Sequence, residues 1–155
     1  MPVKIFCCYA HQDEALLEKL KIHLKPLQRQ GLIDVWHDRD IWAGTEWERE
    51  INKHLNEAQC ILLLVSPDFM ASDYCYGKEM RRAMERHACG EALVIPIIIR
   101  HVYWQVEPLS KLQSLPIDAK PVISSSWHNP DEAFFDIVKA IHKVIMTFSA
   151  PIEAS

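Results

Sequence analysis

Three stretches of the chain, Val3–Tyr9, Ile61–Val65 and Ala92–Ile99, are almost wholly apolar. A strand with one wet face alternates apolar and polar residues, so runs of this length and kind predict strands buried on both faces of a parallel sheet. Between them the apolar residues recur every three or four positions, the period of a helix with one buried stripe. Leu16, Leu17, Leu20, Leu24 and Leu27 form the first stripe, entered at Asp13 as cap, with Pro26 as a kink and Gly31 as the stop. Trp47, Ile51, Leu55 and Ala58 form the second, behind the capping box Thr45 to Glu48. Tyr76, Met80, Ala83, Met84 and His87 form the third, capped by Ser72 or Asp73. Phe134, Phe135, Ile137, Val138, Ile141, Ile145 and Phe148 form the last, behind Asn129-Pro130. Leu32–Trp36 and Pro121–Ile123 read as two shorter strands, and 100–120 as an ordered loop or short helical turns. Pro96, inside the fourth strand, marks a bulge or a missing ladder donor.

Strands alternating with helices predict an α/β fold, a flavodoxin-like doubly wound parallel sheet of five strands in the order 2-1-3-4-5. Its topological switch point lies between strands one and three, where ligands of such sheets bind at the carboxyl ends. The crevice is then walled by Cys8–His11 on one side and Ser66–Glu79 on the other. Glu79 borders the buried stripe of the third helix; the competing reading is a solvated carboxylate paired with Arg82 three residues on.

The length of 155 residues predicts one domain, residues 1–148, followed by a linker stub at 149–155. A hydrophobic fraction of 49% with 25% charged residues is that of a soluble protein, and the net charge of −4 gives no general reason to bind nucleic acid. No run of about eighteen apolar residues and no leader-like start occurs, so neither a membrane nor secretion is expected, and the expected location is cytoplasmic. The five cysteines, an odd number placed largely in strand-like runs, read as reduced core residues. Neither they nor the eight scattered histidines have metal-ligand spacing.

The four glycines exclude GxGxxG and P-loop motifs, and with them dinucleotide oxidoreductases and P-loop NTPases. No GxSxG elbow occurs. A phospho-receiver would need an acceptor aspartate after strand three, where Ser66 stands. The loop His37–Thr45 is different in kind: Ile41 and Trp42 sit among Asp38, Arg39 and Asp40, with Gly44 following, and apolar residues in a charged loop call for a partner.

Four stretches taken in order, FCCYAHQD, VWHDRDIWAGTEWEREI, LLLVSPDFMASDYCYGKEM and LSKLQSLPIDAKPV, resemble the TIR domains of bacteria from Val3 to about Phe148. One departure concerns the third stretch: many animal and plant members carry a Trp-Cys pair with the cysteine three residues before a glutamate, whereas Cys75 lies four before Glu79. Cys7-Cys8 also replaces the usual small polar residue before Tyr9.

The resemblance implies that Glu79 matches the glutamate by which catalytic members cleave NAD at the nicotinamide–ribose bond, with NAD as substrate and no cofactor. Tyr9, Ala10, Asp38, Trp47, Ser66 and Tyr76 are the supporting pocket residues on this reading. Asp38, Arg39, Asp40, Ile41, Trp42 and Gly44 form an assembly loop toward other TIR copies, in a homo-oligomer or filament activated through a fused or partner sensor domain. The alternative is a non-enzymatic adaptor that acts only through homotypic contacts.

Overall fold

The computed structural model describes residues 2–36, 47–106 and 108–149, and within these leaves aside the side chains of Trp47, Glu48, Glu50, Tyr74, Ile117 and Ser149. Strands β1 (Val3–Cys8), β2 (Ile33–Trp36), β3 (Cys60–Val65) and β4 (Leu93–Ile98) form a wholly parallel sheet in the order β2-β1-β3-β4. All six residues of β3 are buried, as an uninterrupted apolar strand at the sheet centre requires.

The pleat divides these strands between two cores. Ile5, Cys7, Leu62, Leu64, Ile95 and Ile97 point to one face, where α1 (Glu14–Arg29) and α5 (Pro130–Ser149) pack through Leu17, Leu20, Leu24, Phe134, Ile137 and Ile141. Phe6, Cys8, Ile61, Leu63 and Val65 point to the other, against Ile51 and Leu55 of α2 (Trp47–Glu57) and Met80 and Ala83 of α4 (Met80–Ala88). The helices after β1 and β3 therefore leave on opposite faces, which opens a crevice between the carboxyl ends of these neighbouring strands.

The fifth strand expected at Pro121–Ile123 is not formed, and the sheet has four strands among the described residues. The backbone at β4's outer edge explains why. Ile98 N–H donates to Leu115, Leu115 N–H to Pro96, and Val122 and Ile123 N–H to Ile98 and Ile99, so two separate pieces of chain share the edge. Pro96 fits this arrangement: Val94, Pro96 and Ile98 direct their backbone groups outward, and Val94 N–H is taken by His87 Nδ1 at 3.2 Å. The missing donor of Pro96 thus faces an irregular edge and removes no bond of the β3–β4 ladder.

Other local expectations are refined. The helix α1 runs through Pro26 to Arg29, since the carbonyl four residues back belongs to exposed Ile22, within reach of water, and Gly31 ends the turn at φ 74°. Ser66-Pro67-Asp68 does not merely end β3: Ser66 Oγ accepts from Phe69 N–H at 3.0 Å and caps a short helix, α3 (Pro67–Ala71). Phe135 and Phe148, assigned to the buried stripe of α5, are exposed because Ala133, Phe134, Ile137, Ile141 and Ile145 complete the face toward the sheet. Four cysteines are buried, as expected of core residues, but Cys89 is exposed. No described helix is long and apolar enough to cross a membrane.

Candidate functional site

Tyr9 and Ala10 follow β1, Ser66 follows β3, and all three are buried at the carboxyl edge of the sheet. Ser72 Oγ accepts from Cys75 N–H at 3.1 Å and starts a π-helical turn, Asp73–Glu79, that leads directly into α4. Its closing amide, Met80 N–H, is shared between Cys75 O and Gly77 O. The periodicity of the sequence predicted an ordinary helix here. A π turn holds one residue more than an α turn, and turns of this kind concentrate at functional sites.

The Cys75 thiol donates to Tyr9 O at 3.2 Å, which seats the beginning of the turn on the end of β1. Glu79 closes the same turn with only 5% of its surface exposed. The solvated reading of Glu79 is therefore excluded, and Arg82, its expected partner, bonds instead to Asn56 Oδ1 at 2.6 Å and Glu85 Oε2 at 3.1 Å. A carboxylate is held in a desolvated place only where its surroundings compensate the charge. Tyr76, half-buried on the turn three residues before Glu79, packs against the core beneath.

Between the strand ends lies a polar cluster that sequence reasoning missed. Asp13, 2% exposed, accepts from Ser66 Oγ and, at 2.8 Å, from Arg100 Nε, while a second guanidinium nitrogen of Arg100 donates to Asp68. Asp13 was expected as a helix cap; its side chain makes no cap bond and turns to Ser66 and Arg100 instead. The bond to Asp13 is the chief reason that the guanidinium holds its proton even more firmly than usual, with burial opposing and Asp68 adding to it. The cluster joins the exits of β1, β3 and β4 and carries two carboxylates to one guanidinium. Its signal in the sequence was a single charge set immediately after an apolar strand, Arg100 after β4 and Asp13 just beyond β1. Ser66 thus has its hydroxyl engaged in both directions, to Asp13 and from Phe69.

The structure brings Tyr9, Ala10, Ser66, Tyr76 and Glu79 to one end of the sheet. Asp38, Arg39, Asp40, Ile41, Trp42 and Gly44 lie outside the described residues, as does the side chain of Trp47. No group of three or more His, Cys, Asp or Glu suited to a metal ion occurs among the described residues.

A family model for the TIR domain matches residues 5–133. The uncharacterized protein y4lF of Sinorhizobium fredii (strain NBRC 101917 / NGR234) is 50% identical over 151 residues, covering 95% of this chain and 46% of the relative, so the chain spans about half the length of that curated relative. Among solved structures, the TIR domain of the Toll-related receptor TRR-2 from Hydra magnipapillata superposes with a TM-score of 0.60 at 18% identity, over 91% of this chain and 96% of that one. The TIR domains of the activated Roq1 resistosome, which directly recognizes the pathogen effector XopQ, superpose with a TM-score of 0.56 at 13% identity, over 96% and 75%. At these identities the structural likeness speaks for the fold.

Proposed function

Because the chain belongs to the TIR domain family, we propose that it cleaves NAD at the nicotinamide–ribose bond, with Glu79 as the catalytic carboxylate. The observation that carries this reading is the burial of Glu79 at the close of a π-helical turn that is pinned to the end of β1.

The chemistry needs few groups. Nicotinamide leaves a cationic pyridinium as a neutral amine: the C1′–N bond breaks, its electron pair goes to the ring nitrogen, and no acid is required. Glycosidases that expel an alkoxide need a second carboxylate for that purpose. What remains is positive charge on the ribose, and a fixed carboxylate in a dry site opposes it without reorganisation. Attack by water at C1′, with loss of its proton, yields ADP-ribose; attack by a nitrogen of the adenine yields a cyclic product. On this reading Tyr9, Ala10, Ser66 and Tyr76 line the pocket at the end of the sheet, and Asp38 and Trp47 are its further candidate contacts.

Activity is switched on by assembly with further copies through Asp38, Arg39, Asp40, Ile41, Trp42 and Gly44, whose apolar pair among charges suits an interface that propagates head to tail. The relative y4lF, about twice the length of the matched stretch, is consistent with a fused sensor module that starts this process. The setting would be bacterial immune signalling or defence.

Incubation of concentrated protein with NAD, followed by chromatography, should release nicotinamide with linear or cyclic ADP-ribose. Glu79→Gln keeps the shape and removes the charge, and should lower the rate by at least about two orders of magnitude. Specific activity should climb with protein concentration, and Trp42→Ala or Gly44→Pro should flatten that climb. A Glu79→Gln protein as active as the parent would overturn the catalytic assignment, while a folded parent inert toward NAD that still self-associates would leave the adaptor reading.

A further inference from the structure

The interrupted fifth position of the sheet leaves space between β4 and α5, far from the switch point in the topology. Two cavities meet there. One, of about 220 Å³, is an apolar recess walled by Val94 and Ile95 of β4, Leu112 and Leu115 of the covering loop, and Val144 of α5. The other, of about 710 Å³, is the wider opening toward solvent and carries Lys111, Lys139 and Lys143 against Asp118 and Asp136. Lys111, Leu112, Gln113, Leu115 and Ala140 line both, so the recess opens directly under the lysines. The larger volume lies within the range of about 300–1,000 Å³ typical of small-molecule sites.

The loop that closes this space is held unusually. Asp118 and Ala119, both on the rim, have φ of 59° and 54°, a left-handed conformation rare outside glycine and costly enough to concentrate where it has a use. Ala119 N–H donates to Pro116 O at 2.9 Å, so the pair forms a defined turn. Inside, the N–H of Val94 is already taken by His87, which leaves the recess wall apolar.

We propose that this cavity is a binding site for a small amphipathic anion: an apolar body of about eight heavy atoms in the recess and one carboxylate or phosphate head at the lysines. The size follows from the recess volume of about 220 Å³, on the order of seven times the share of one water in the liquid. The charge follows from the mouth, where three ammonium groups outnumber two carboxylates and act as point charges that accept either head. The proposal is independent of NAD cleavage and uses none of the residues assigned to it.

The test uses octanoate, octyl phosphate, octanol and inorganic phosphate as probes, titrated into the full chain by calorimetry and by amide chemical shifts. Octanoate or octyl phosphate should bind saturably at one site, with shifts at Leu112, Leu115, Ala140 and Val144, and the tighter of the two identifies the natural head. Octanol and inorganic phosphate should each bind at least tenfold more weakly. Lys139→Ala with Lys143→Ala should cost affinity about tenfold, and Ala140→Leu, which fills the junction of the two cavities, should abolish binding while the protein remains folded by circular dichroism. Equal affinity for octanol and octanoate, unsaturable binding, or full affinity in both variants would overturn the site.

Discussion

Asp13→Ala is the perturbation that tests most sharply what holds the end of the sheet together. The substitution removes the acceptor of Arg100 Nε, 2.8 Å away, and of the buried Ser66 hydroxyl. Breaking a buried ion pair by deleting one partner costs about 3–5 kcal/mol when the survivor has nothing else. Here Arg100 keeps Asp68, and its side chain is 32% exposed, so water recovers part of the loss. Against this, Ser66 retains its bond from Phe69 but loses the group to which it donates, at about 1–3 kcal/mol for a stranded buried donor. The expected loss is about 2–3 kcal/mol. For a domain of this size each kcal/mol moves the midpoint by about 2–4 °C, so Tm should fall by about 4–12 °C. Asp13→Asn, which preserves size and one acceptor, should fall between the variant and the parent. The assay is urea and thermal unfolding of the two variants, of Arg100→Met and of the double Asp13→Ala, Arg100→Met, with a coupling of about 1–2 kcal/mol expected for residues in contact. If the two single losses add within about 0.3 kcal/mol, the contact between them contributes nothing and the role assigned to the cluster is wrong.

Arg86, buried, donates to the carbonyls of Leu55 at 2.7 Å, Ala58 at 2.5 Å and Glu91 at 3.2 Å, closing the carboxyl end of α2; burial, the main cause, weakens its hold on the proton. Arg86→Met should cost about 2–4 kcal/mol in urea unfolding, because the aliphatic replacement packs but leaves those acceptors unsatisfied. Burial pushes the Cys60 thiol up from 9.0 to about 12. Between those values the folded chain retains a proton that the unfolded chain has released, so stability should fall as pH rises from 9 toward 12, by up to about 1.4 kcal/mol per pH unit. That extra slope should vanish in Cys60→Ala. A disulfide exchange reagent at mildly alkaline pH should modify Cys89 rapidly, and Cys7, Cys8, Cys60 and Cys75 only on unfolding.

The hydrophobic pattern alone determined most of the scaffold. Runs such as CILLLV have no polar residue to offer water, so they had to lie between two layers of helices, and the alternation with helical stripes left a doubly wound parallel sheet as the economical arrangement. The same pattern put Glu79 beside the expected switch point and left open whether it was solvated, which its burial answers. Three features were decided only by tertiary structure. Pro121–Ile123 has strand composition, but its ladder depends on an edge already shared with Leu115, and no local pattern records that competition. The π turn at Asp73–Glu79 differs from an α turn by one residue per ring, too little to alter a periodicity read over a dozen positions. The cluster of Asp13, Ser66, Asp68 and Arg100 joins residues as much as 87 positions apart, and charges read one at a time look like caps and solvated ends. Local sequence specifies which groups must leave water; which of them meet once there depends on how distant strand ends are brought side by side.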